Sequence, residues 1–142
     1  MSQYFDMGDE TLWNPSNGAA RLFLRQVAVF EEELGVPSGV GPMENDEAQI
    51  DRTVFAAFVN ALVAHHRRTH HAVVLALTDG FLTTVLALAG RAGVDVRWAA
   101  PCGEGEGAQR DVQVPAAPRP EEEDWAARLQ ERTRELDRYM AR

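Results

Sequence analysis

Apolar residues in this chain recur every three to four positions over three long stretches. Ala20, Phe23, Leu24, Val27, Phe30 and Leu34 fall on one face of a helix. Asn14 is its candidate cap, with Pro15 at the first helical position, where the missing N–H costs nothing, and Ser16 is the alternative cap. Gly35 supplies the stop. A second helix carries Val54, Phe55, Phe58, Val59, Leu62 and Val63 on one face, with Asp51 as its cap. A third is predicted over residues 70–92, with Gly80 as a candidate bend and Gly93 as its end. Thr69 is expected to break the second helix and cap the third.

Elsewhere the period is two. "QYFDMGDETLW" predicts two extended segments around a Gly8-Asp9 turn, a β-hairpin. "VDVRWA" (94–99) alternates, with Val94, Val96 and Trp98 on one side, and predicts a half-buried strand pairing with the hairpin. A short edge strand is expected near residues 48–50. Trp13 and Trp98 are expected to pack in or beside this sheet.

The pattern changes after residue 100. "PCGEGEGAQRDVQVPAAPRP" (101–120) has little to bury and reads as a flexible linker. Residues 121–142 then form an amphipathic helix with a narrow stripe of Trp125, Leu129, Leu136 and Met140. A helix this short is marginal alone, so it must dock on its own core, a second copy or a partner. The expected fold is α+β: a compact domain over 1–100, with three helices packed on a small antiparallel sheet, then the linker and the C-terminal helix.

Charge narrows the functional classes. The 142 residues include 22 acids against 14 basic residues, all arginine, for a net charge of −8. Nucleic acid as a partner is disfavoured and a basic protein is attracted. The single cysteine, Cys102, permits no internal disulfide and reads as an inert thiol in the linker. "MSQYFDMGDE" lacks the basic and apolar regions of a signal peptide. The apolar run at 72–90 contains Asp79, Gly80 and three threonines, so a buried core helix is expected rather than a membrane span. Together these predict a cytoplasmic protein. The glycines of "GVPSGVGP" (35–42) are followed by no P-loop lysine and read as loop chemistry.

Candidate chemistry is sparse. "AHHRRTHH" (64–71) holds all four histidines. On a continuous helix His66 and His70 share a face, the spacing of two metal ligands, and Asp79, Glu44 or Asp46 is the candidate third. The competing reading places these cations at a helix junction, where they complement the negative end of the dipole. Among the acids, Asp6, Asp9, Glu10, Glu44, Asp46 and Glu47 are the candidate docking face for a basic partner. Trp125 and Leu129 are the candidate apolar contacts. No catalytic residue and no cofactor is assigned.

The runs "YFDMGDETLWNPS", "GPMENDEAQID" and "GFLTTVLALAGRAG" resemble a family of small uncharacterised actinobacterial proteins. The resemblance covers about the first hundred residues. It implies a compact core with a variable tail and brings no activity with it. The leading expectation is a non-enzymatic binding module, an immunity or antitoxin-type protein that neutralises a basic toxin through an acidic face. The alternatives are a small metal-dependent enzyme using His66 and His70, and a scaffold or secretion chaperone that self-associates, as a homodimer through the C-terminal helix.

Overall fold

A computed structural model describes residues 2–99 and 122–142. The 101–120 segment and Cys102 lie outside the described residues. Strand β1 (Tyr4–Met7) and strand β2 (Glu10–Trp13) form the expected antiparallel hairpin, with Gly8 at φ 62° in its two-residue turn. Helix α1 (Asn17–Leu34) follows, then strand β3 (Glu47–Gln49), helix α2 (Arg52–Arg68), helix α3 (Ala72–Ala92) and helix α4 (Glu122–Asp137). The class is α+β.

Two features of the sheet differ from the sequence expectation. The order is β2-β1-β3, and β3 runs parallel to β1, pairing Tyr4 with Glu47, Phe5 with Ala48 and Asp6 with Gln49. The sheet is therefore mixed, not antiparallel. Helix α1 and its return loop lie between the hairpin and β3, and a connection of that length permits a parallel return. Three alternating residues carry no information on direction.

Residues 94–98 join no strand among the described residues. Their backbone is read instead by one side chain of α2. Asn60 Nδ2 donates to the Asp95 carbonyl at 3.1 Å, and Asn60 Oδ1 accepts from the Arg97 N–H at 2.7 Å. One amide thus supplies the donor and acceptor that a neighbouring strand supplies in a ladder. The alternation of Val94, Val96 and Trp98 reflects packing against the core, not membership of a sheet.

The helix ends follow local chemistry, with two corrections. Ser16, not Asn14, caps α1, accepting from the Ala19 N–H at 3.4 Å. Asn14 is held by its backbone, which donates to the Ala141 carbonyl. Asp51 caps α2 as expected, accepting from the Val54 N–H at 3.0 Å. His71, not Thr69, caps α3, its Nδ1 accepting from the Val74 N–H at 3.3 Å. Thr69 closes α2 instead, its hydroxyl donating to the His65 carbonyl at 2.7 Å. Helix α3 continues through Gly80.

Helix α3 is the centre of the molecule, touched by α2, α4 and β2. By length and composition it is apolar enough to cross a membrane, yet its second half is core: Phe81, Leu82, Val85, Leu86 and Leu88 are buried. All six phenylalanines are buried. Phe81 stacks on Phe30 at 4.5 Å between ring centroids and also meets Phe23 and Phe58. Leu129 of α4 and Met140 beyond it join the same core. Helix α4 ends at Asp137, and the last residues turn back toward β2.

Gly39 (φ 77°) lets the 35–42 loop lie against the start of α2. A Cβ there would stand 2.8 Å from the Asp51 carbonyl oxygen and the Phe55 nitrogen. The loop is held from the other side by Glu31, which accepts from the Ser38 N–H at 3.0 Å.

Candidate functional site

The structure divides the histidines of "AHHRRTHH" among different tasks. Helix α2 stops at Arg68, so His70 lies beyond it and does not share a helical face with His66. His71 caps α3. His65 sits at half-buried depth with its Nδ1 enclosed and without a hydrogen-bond partner. Burial pushes its pKa below the ordinary 6.5; Arg68 and His66 push the same way, while Glu33 opposes them. Arg67, also buried, donates to the Ala99 carbonyl at 3.3 Å.

His66 is the hub. It points from the last turns of α2 into the seam between α3 and α4, and only 5% of it is exposed. Its Nε2 lies 2.6 Å from Asp79 Oδ1 on α3, and the Trp125 indole N–H on α4 donates to its Nδ1 at 3.0 Å. The Trp125 ring is inclined 26° to the imidazole with its centroid 5.9 Å away, and it meets Trp98 edge-on. Arg132, two turns along α4, donates to the other Asp79 oxygen at 2.9 Å.

The tautomer follows from these partners. An indole nitrogen can only donate, so Nδ1 must accept and carry no proton. The proton of the neutral ring is then on Nε2, which donates to Asp79. A chain of charge-oriented bonds results: Trp125 to His66 to Asp79, with Arg132 closing it. Asp79 is the lone acid of the apolar α3 helix, and this is where its charge is matched.

A His–carboxylate contact of 2.6 Å has the look of a catalytic dyad. A general base, however, needs one ring nitrogen facing its substrate. Here Trp125 occupies one nitrogen and Asp79 the other. The same occupancy leaves no lone pair on His66 for a metal, and no group of three potential ligands forms among the described residues. The His66 assembly is a clasp that holds α4 to α2 and α3.

The carboxylates occupy the sheet. Glu44, Asp46 and Glu47 cluster in a tight turn at one end of β1, Asp9 lies in the hairpin turn at the other with Glu10 at the start of β2, and Asp6 is between them. One oxygen of Asp6 is enclosed without a partner. Glu10 lies 3.6 Å from Arg142, an exposed pair. Trp125 and Leu129 are not part of this strip. Leu129 is 2% exposed in the chain's own core, and Trp125 is held by His66. The apolar stripe of α4 is thus used within the chain.

The profile of a family of unknown function, DUF6086, matches residues 1–142. The chain belongs to that family. The match spans α4 as well as the first hundred residues, consistent with one core shared by both. No curated protein and no solved structure matches the chain.

The clasp was hidden from sequence because its members are 13 and 59 residues from His66. One signal pointed to it: a single acid within an apolar helix requires a partner.

Proposed function

We propose that this DUF6086 chain is a non-enzymatic, cytoplasmic protein-binding module of the immunity or antitoxin type, set in an actinobacterial cell, whose acidic strip neutralises a basic partner toxin. The turn at Glu44–Glu47 carries this reading. Its central residues, Asn45 and Asp46, both have positive φ, at 51° and 67°. Glu44 and Glu47 exchange backbone hydrogen bonds at 2.9 and 3.0 Å, and the Asp46 carbonyl accepts from the Tyr4 N–H at 2.8 Å. Asn and Asp are the non-glycine residues that most readily adopt this conformation, as tight two-residue turns require. The fold thus fixes the backbone of the turn that carries these three carboxylates, so little backbone ordering is lost on binding.

The charge balance supports the same reading. Asp9, Glu44 and Glu47 make no ion pair among the described residues. Unmatched charges of one sign steer an oppositely charged partner toward them. Both His66 ring nitrogens have structural partners, which favours binding over catalysis.

The test is co-expression and co-purification with basic proteins encoded beside the gene. The expected result is a stoichiometric complex that relieves the partner's toxicity and weakens as salt rises. Glu44→Lys/Glu47→Lys should lose both the complex and the relief. A variant that protects as well as the parent, or a chain inert toward every candidate, removes the proposal.

A further inference from the structure

The surface opposite in character to the acidic strip is a groove of about 580 Å³ between α1 and the chain around Met43. Arg21 and Arg25 stand on its α1 wall, four residues apart and therefore on one helical face. Both are exposed, and neither guanidinium has an ion pair or hydrogen bond among the described residues. No acid on α1 can reach them, because its first acid is Glu31. Like charges at this spacing repel by about 0.2–0.5 kcal/mol. Two unmatched arginines side by side are unexpected in a chain of net charge −8.

The groove is also chemically mixed. Leu24 and Met43 give it apolar wall, and Asn17 and Gln3 add amides. The nearby Asp46 carboxylate turns toward Gln3, its Oδ1 3.5 Å from the Gln3 amide nitrogen. Ligand sites of a few hundred cubic ångströms commonly combine apolar wall with a few convergent polar groups. A guanidinium pair matches the oxygens of a phosphate or carboxylate in two-pronged fashion.

We propose that this groove binds a small amphipathic anion: a phosphate monoester or carboxylate held by Arg21 and Arg25, with its apolar body against Leu24 and Met43. The proposal does not rest on the acidic strip having a partner, although Asp46 of that strip bonds Gln3 of the groove.

The experiment is an NMR titration of the ¹⁵N-labelled full chain with phenyl phosphate, benzoate, inorganic phosphate and benzyl alcohol. Saturable shifts at the Gln3, Asn17 and Met43 amides are expected with phenyl phosphate or benzoate, the tighter of the two identifying the anionic group. Inorganic phosphate should bind more weakly, and benzyl alcohol should not bind. Arg21→Gln/Arg25→Gln should weaken binding about tenfold or more, the loss expected for charge-assisted hydrogen bonds. Met43→Glu, which keeps both arginines but adds a carboxylate to the wall, should weaken it as well. Arg128→Gln, an exposed site on α4, should not. Absence of saturable shifts overturns the proposal. So does binding that survives the double substitution, inorganic phosphate binding as tightly as phenyl phosphate, or benzyl alcohol binding as tightly as the anions.

Discussion

Helix α4 is fastened at both ends, by different chemistry. At its start Trp125 meets His66, a neutral ring whose hold depends on which nitrogen carries the proton. At its end Arg91 of α3 donates from Nε to Asp137 Oδ1 at 2.7 Å and from Nη2 to the Asp137 and Met140 carbonyls at 3.1 and 2.6 Å. Its Nη1 reaches the Leu12 carbonyl at 2.6 Å, tying β2 into the same knot. Both hubs are enclosed, with side chains 6% and 8% exposed. A guanidinium keeps its charge at every physiological pH, whereas an imidazole does not. One end of the helix is therefore held by a fixed charge and the other by hydrogen bonds to a neutral ring.

Arg91→Ala is the most severe way to break this contrast. It takes the guanidinium donor from the Leu12 and Met140 carbonyls and the Asp137 carboxylate, while the Asp137 carbonyl keeps the Met140 N–H, and a loss of about 2–4 kcal/mol is expected, read by urea denaturation. The last residues should detach with it, giving fast amide exchange at Ala141 and at Asn14, which bonds to its carbonyl.

His66→Phe keeps an aromatic ring but orphans the Trp125 N–H and one Asp79 oxygen. About 1–3 kcal/mol should be lost. Trp125→Phe in the same chain should recover part of that loss, because it removes one orphaned donor. Strict additivity of the two changes would show that the bond between them contributes nothing.

Acid should weaken the fold beside the clasp, through His65. The His65 pKa is lowered in the fold, so the unfolded chain takes up that proton first, and stability falls as pH drops below 6.5. Above that value the contribution is complete. Urea denaturation should show this loss between about pH 7 and 5, and His65→Gln should flatten the curve. An unchanged pH dependence in His65→Gln would defeat the assignment.

The smallest effect belongs to Arg132→Ala. Its ion pair with Asp79 is more than half exposed on the arginine side, so no more than about 1 kcal/mol is expected. A larger loss in a thermal melt would mean that Arg132 holds Asp79 for His66.

The helices were legible in the sequence because the signals that make them are local. The apolar faces of α1 and α2, the Asp51 cap, the glycine stops at Gly35 and Gly93 and the Gly8-Asp9 turn each depend on residues a few positions apart. The split of "AHHRRTHH" at Thr69 was legible for the same reason. The capping residue was not: Thr69 and His71 are both capable, and the path of the junction selects His71. The carboxylate strip was visible as composition, and its extent along β1 was not.

By itself, then, the sequence determined the helices, the hairpin, the apolar faces that carry Phe23, Phe30, Phe55 and Phe58, and an acidic balance, all from periodicity, capping and charge. Tertiary structure alone decided that β3 runs parallel to β1, that Asn60 stands in for a strand beside residues 95–97, and that α4 returns to its own core. It also decided what His66 does. The reason is physical: a hydrogen bond between side chains 13 or 59 residues apart exists only after packing sets the distance and orientation between their helices, and no local pattern encodes either.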